Sequence, residues 1–173
     1  MAARADAIRP RAVFLSPGDF HFHCPLAGRA QPPSLYTLLG SCVCVVWWHP
    51  ERRIGAMSHV ILPGRCKRTE SRALDARYAD EVMPLLVREM LQAGTRPPQF
   101  QVYVVGGSNM YPSAQAGASV GARNIDAVRA GLRHAGFSVR AEHVGSTHHR
   151  KVELDLTSGV VTVTFDRVRV VLS

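Results

Sequence analysis

Apolar and polar positions along the chain predict a series of short strands interrupted by two helices. The densest apolar stretch is Leu38-Leu39-Gly40-Ser41-Cys42-Val43-Cys44-Val45-Val46-Trp47-Trp48. A polar turn, His49-Pro50-Glu51-Arg52-Arg53, separates it from a second apolar run, Ile54 to Leu62. Two such runs joined by a short turn-forming segment predict a β-hairpin. A loop of His49 to Arg52 places Cys42 directly opposite His59 on one face, with Cβ atoms about 4.5–5.5 Å apart. A loop one residue longer shifts the pairing and spoils that shared face. The sequence leaves both registers open.

Elsewhere the pattern is simpler. Val13 to Leu15 and the alternating Phe20-His21-Phe22-His23-Cys24 predict strands. Leu26 to Ser34 and Pro63 to Arg72 predict loops, the second bordering the hairpin. Leu74 to Ala93 predicts a helix with Tyr78, Val82, Leu85, Leu86 and Met90 on one face and Gly94 as its stop. Pro84 requires that helix to bend or to start late. Phe100 to Val105 predicts a strand ending at Gly106-Gly107-Ser108, where two glycines permit close approach to a ligand or another segment. Arg123 to Ala135 predicts a second helix with Ile125, Val128 and Leu132 inward. Phe137 to Val144 predicts a strand, and Val152–Leu156 with Val160–Phe165 a hairpin around Thr157-Ser158-Gly159, with Val168–Leu172 extending it or adding a strand. Seven to nine strands and two helices without regular β-α-β alternation imply an α+β layered sandwich with mixed or antiparallel sheets.

Composition narrows the class. A length of 173 residues suits one domain over 12–173, preceded by a disordered tail over 1–11. No apolar run reaches membrane-spanning length and the N-terminus has no signal-peptide core, so a cytoplasmic protein is expected. The four cysteines, Cys24, Cys42, Cys44 and Cys66, lack zinc-site spacing. The formal charge of +8, with a cluster at Arg65, Lys67, Arg68 and Arg72, raises nucleic-acid binding. The absence of a helix-turn-helix, a zinc finger or interleaved aromatics favours instead a basic face for an acidic protein partner.

Candidate chemistry is sparse. His21 and His23 share a face, but no third ligand lies at a telling distance, so a solvent face is favoured over a metal site. No glycine-flanked serine elbow and no zinc-protease helix motif is present. Cys42 remains as a thiol nucleophile whose thiolate a neighbouring His59 would favour, with Thr37 as the nearest hydroxyl to orient the ring. On spacing alone, core packing is the favoured reading of a lone cysteine, for Cys42 as for Cys44.

Longer motifs carry a resemblance. Thr37-Leu38-Leu39-Gly40-Ser41-Cys42-Val43, Arg53 to Pro63, Asp75 to Asp80, Val105 to Met110, Val120 to Asn124, and Gly145-Ser146-Thr147 with Arg150 resemble, in order, the CheD family of bacterial chemoreceptor glutamine deamidases. The resemblance implies a fold like the catalytic domain of cytotoxic necrotizing factor toxins and a Cys-His-Thr set of Cys42, His59 and Thr37. It implies conversion of receptor glutamines to glutamates through a thioester, with hydrolysis of glutamyl methyl esters as a related activity and no metal or organic cofactor. Gly40 and Ser41 are the expected oxyanion turn, and Gly106, Gly107 and Ser108 candidate substrate-site residues. Implied partners are the cytoplasmic domain of methyl-accepting chemoreceptors and a CheC-type phosphatase, with neither nucleic acid nor membrane insertion. His143, Ser146 and His148-His149 depart from the family pattern. A cysteine hydrolase of the same fold on another amide or ester, and a non-catalytic adaptor, are the alternative function classes.

Overall fold

The unbroken apolar runs become strands buried on both faces, and the alternating runs become strands buried on one. In a computed structural model that describes residues 11–25, 31–65, 73–110 and 119–173, these strands form two five-stranded sheets. The strands are β1 Val13–Phe14, β2 Phe20–His23, β3 Ser34–Leu39, β4 Val43–His49, β5 Ile54–Val60, β6 Gln101–Gly106, β7 Val139–Val144, β8 Arg150–Asp155, β9 Val161–Phe165 and β10 Val168–Leu172. The helices are α1 Ala79–Gln92 and α2 Val120–His134. One sheet has the order β1-β3-β8-β9-β10 and the other β2-β5-β4-β6-β7. Among the described strands, β1–β3 and β6–β7 pair in parallel, the latter joined through α2 as a β-α-β unit.

Three layers result. Val43, Val45, Trp47, Ile54, Ala56, Val102 and Val104 on one face of the β4 sheet pack against Val82, Leu86 and Met90 of α1 and Ile125, Val128 and Leu132 of α2. The opposite face, with Cys44, Val46, Trp48, Met57, Tyr103 and Val105, packs against Leu35, Leu39, Val152, Leu154, Val161 and Val163 of the other sheet. Each such apolar side chain contributes about 1.5–3 kcal/mol when fully buried. The expected α+β class with two sheets and two helices is observed. The ten strands exceed the expected seven to nine because Ser34–Leu39, expected only to lead into the hairpin, is a strand of its own; Val13–Phe14 and Val168–Leu172 complete the upper count of nine.

Several boundaries move for identifiable reasons. The expected helix at Leu74 begins at Ala79, so it starts late, and Pro84 still lies within it. The preceding residues are drawn into extended pairing: Ile61 and Leu62 donate to the Arg77 carbonyl, and Ala79 donates to that of Leu62. Helix α2 starts three residues before the expected Arg123, because Ser119 caps it by accepting from the Ala122 amide at 3.1 Å. Gly94 and Gly136 end the helices, as expected; Thr95 and Phe137 then donate back to Met90 and Leu132. Tyr36 to Leu39, expected to lead into the hairpin, instead form part of β3 in the other sheet.

The expected tail falls outside the described residues apart from Arg11. Residues 26–30 of the first predicted loop and 66–72 of the second also lie outside them, with Cys66, Lys67, Arg68 and Arg72. Arg65 is described and pairs with Glu81. No helix among the described residues is long and apolar enough to cross a membrane.

Candidate active site

Strand β3 ends in one sheet and β4 begins in the other, so Gly40-Ser41-Cys42 is one of the chain's crossings between sheets. That crossing delivers Cys42 to the end of the inter-sheet core, half-buried, while Cys44 is fully buried two residues later. Cys42 and His59 line one cleft of about 480 Å³, with Pro17, Leu38, Gly40, Ser41, Met110 and His149. The hairpin loop is Pro50 to Arg53, neither of the expected loops, because His49 pairs with Ile54. His59 therefore faces Cys44 across the ladder, and Cys42 lies two positions further along, diagonal to His59. The register differs from expectation by an even step, so Cys42 and His59 keep the same side.

Thr37 completes the set from the other sheet. It alternates inward with Leu35 and Leu39, and both Thr37 and His59 are buried. The Thr37 hydroxyl donates to the Leu15 carbonyl at 2.6 Å and lies 2.7 Å from His59 Nδ1. A hydroxyl has one proton to give. With that proton on Leu15, Nδ1 must be the protonated ring nitrogen, donating to Thr37, and Nε2 is left as the basic one. The segment before β2 wraps the histidine backbone: the Gly18 amide donates to the His59 carbonyl at 2.8 Å, and the His59 amide to that of Asp19 at 2.9 Å.

Burial sets the charge state at rest. It lowers the His59 pKa, opposed by the Leu15 carbonyl and by Asp19. It raises that of the Cys42 thiol. Both shifts favour the uncharged forms, because desolvation penalises charge.

The crossing is held from behind. Ser108 donates its amide to Gly40 at 3.0 Å, Gly107 to Cys42 at 2.7 Å, and Asn124 Nδ2 to the carbonyls of Ser41 at 3.3 Å and Ile61 at 2.8 Å. In a trans peptide the N–H points opposite to the C=O. With the Gly40 and Ser41 carbonyls engaged, the Ser41 and Cys42 amides point away from Ser108 and Asn124. Gly106, Gly107 and Ser108, expected as substrate-site candidates, do not line this cleft; Gly107 and Ser108 donate to the crossing, and Gly106 pairs with Val43. The two glycines serve close approach to another segment. A Cβ on Gly106 would lie 2.3 Å from the Cys42 carbonyl oxygen, and one on Gly107 2.5 Å from Ile125. The Ser108 hydroxyl is bonded to the His148 carbonyl at 2.6 Å and accepts from buried Arg150, which also donates to Gly145 and His143.

Asn124 is the main residue that sequence reasoning missed. Its signal was an amide on the apolar face of α2, in line with Gly121, Ile125, Val128 and Leu132. His21 and His23 lie on edge strand β2, away from this cleft's lining. No set of three His, Cys, Asp or Glu side chains among the described residues is grouped to hold a metal ion.

The model of the family described as CheD chemotactic sensory transduction matches residues 61–165. That match begins just past His59, but pairwise relatives extend further. A protein of Pseudomonas savastanoi pv. phaseolicola, named "Probable chemoreceptor glutamine deamidase CheD", is 40% identical over 154 residues, 87% of this chain and 82% of its own length. A Dechloromonas aromatica protein, "Probable chemoreceptor glutamine deamidase CheD 3", is 39% identical over 88% of this chain and 86% of its own. Matches of this extent leave too few residues outside them to omit positions 37–59. Among solved structures, a Bacillus licheniformis hypothetical protein, YfiH, aligns with TM-score 0.42 and 16% identity over 76% of this chain and 62% of that one, a likeness too slight to carry an argument.

Proposed function

The chain belongs to the CheD family, and from that premise we propose that it is a chemoreceptor glutamine deamidase acting through Cys42, His59 and Thr37. The observation that carries the reading is the Thr37–His59 hydrogen bond beside Cys42 in a shared open cleft. Nε2 of His59 takes the thiol proton as Sγ attacks the side-chain amide carbon of a receptor glutamine. Thr37 keeps Nδ1 protonated and the ring in place. The oxyanion is assigned to the Ser41 and Cys42 amides, whose partner carbonyls are engaged on the protein side. The imidazolium returns its proton to the departing ammonia, leaving a thioester. Water, deprotonated by His59, then opens the thioester to glutamate and restores the thiol.

A glutamyl methyl ester can enter the same acyl-enzyme, with methanol leaving in place of ammonia. A single deamidase domain over 12–173, a cytoplasmic location, a CheC-type phosphatase as second partner, and kinship with the cytotoxic necrotizing factor catalytic domain belong to the same proposal and rest on the family resemblance.

The test is mass spectrometry of a purified chemoreceptor cytoplasmic fragment after incubation with the protein or with Cys42→Ala. Amide-to-acid conversion at specific glutamines with the wild type alone supports the reading. Conversion by both, or by neither, overturns it.

A further inference from the structure

The β4 sheet is covered on both faces, but the outer face of the β8 sheet has no layer over it among the described residues. Strand register puts Leu38, Lys151, Thr164 and Arg169 in one row across that face: Leu38 pairs with Lys151, Lys151 with Thr164, and Thr164 with Arg169. At about 4.8 Å per strand the row is roughly 14 Å long. It starts at the catalytic cleft, whose rim Leu38 forms. A second hollow of about 460 Å³ adjoins that cleft through Leu38, Gly40 and His149, and continues to Lys151 and Thr164.

The row has the make-up of a recognition surface. Leu38 is a large apolar side chain left 59% exposed where the cleft opens. Lys151 is fixed, donating to Glu153 at 2.8 Å with its ammonium 4.9 Å from the Tyr36 ring. Arg169 is exposed at the far end. The nearby carboxylates are already engaged, Glu153 by Lys151 and Ser34, and Asp166 by His148. The row itself is thus apolar at the cleft and carries cations at Lys151 and Arg169, with Glu153 on the same face paired to Lys151.

We infer that this row is the docking surface for the receptor, and that it takes an acidic segment with an apolar group beside the target glutamine and carboxylates further along. The inference rests on the deamidase reading and adds the substrate class to it. The cations at about one and three strand spacings from Leu38 set where those carboxylates fall.

The test is steady-state deamidation of a purified chemoreceptor cytoplasmic fragment at several salt concentrations. The proteins are wild type, Lys151→Glu, Arg169→Glu, and Arg88→Glu on α1 as a remote control of equal charge. The inference expects KM to rise about tenfold or more in the two row variants with kcat within about twofold, KM to hold in Arg88→Glu, and the wild-type salt dependence to weaken in the row variants. Equal KM in all four overturns the inference and leaves the deamidase reading standing. An equal rise in all three variants also overturns it, because net charge alone would then account for the effect. A wild type that reacts with iodoacetamide at Cys42 yet converts no receptor glutamine removes the deamidase reading, and this inference with it.

Discussion

The sheet around β4 is sealed by helices on one face and by the other sheet on its second, whereas the sheet around β8 is packed on one face only among the described residues. The sealed sheet supplies rigidity: β4 and β5 are buried at every position, and His59 is held within them. The half-open sheet supplies Thr37 from its packed side. Cys42 belongs to neither, since it sits on the crossing between them. The two cysteines there make the same point in miniature. Cys44, inside the sealed sheet, has its thiol pKa driven above the usual range by burial, while Cys42 two residues earlier reaches the cleft. Placement relative to the layer boundary, not residue type, separates a packing sulfur from one that a substrate can reach.

That contrast breaks most directly at the cysteines. Cys42→Ala should lower deamidation by about 10⁴-fold or more. Cys44→Ala should keep turnover and instead lower the denaturation midpoint by an amount equivalent to about 1 kcal/mol. Comparable activity losses in both would erase the distinction. His59→Gln should cost about 10²–10⁴-fold in kcat, read from single-turnover rates, with folding checked by circular dichroism.

Asn124→Leu probes the clamp behind the crossing. It leaves the Ser41 and Ile61 carbonyls without their donor and should destabilise the fold by about 1–3 kcal/mol in urea titration, with kcat falling more than KM rises. Unchanged stability and kcat would show that the clamp does not hold the corner. Thr37→Val, which keeps shape but loses the hydroxyl, should slow turnover by about tenfold, near the worth of one hydrogen bond. A rate equal to wild type would remove Thr37 from the site.

The smallest expected effect per residue is on pH dependence. Burial lowers the pKa of His21, His23, His49, His59 and His143 in the folded chain. The unfolded chain, with histidines near 6.5, then binds protons more readily. The stability from keeping these rings neutral is complete above about pH 6.5 and is lost as pH falls from there toward the folded values. Thermal melts should shift down between about pH 7 and pH 5, and a Tm flat across that window would contradict the burial of these rings.

Local pattern made much of this molecule readable. Unbroken valine- and tryptophan-rich runs marked the sealed strands, alternation marked the C-terminal hairpin, and Gly94 and Gly136 marked the helix ends, because each signal acts within a few residues. The motifs around Cys42 and His59 pointed to one site and to one family. Other features answered to contacts far away in sequence. The hairpin turned at Pro50 to Arg53, where β4 could pair on both sides with β5 and β6. Helix α1 yielded its first turn to pairing with Leu62.

The sequence by itself determined the residue types of the site and the order in which they occur. Tertiary structure alone decided that Thr37 and His59 meet from different sheets, that Gly107, Ser108 and Asn124 brace the corner, and that burial raises the pKa of the Cys42 thiol. The reason is physical. A periodic pattern records which face of an element avoids water, whereas a hydrogen bond across layers and the dielectric around a sulfur exist only once the layers have packed.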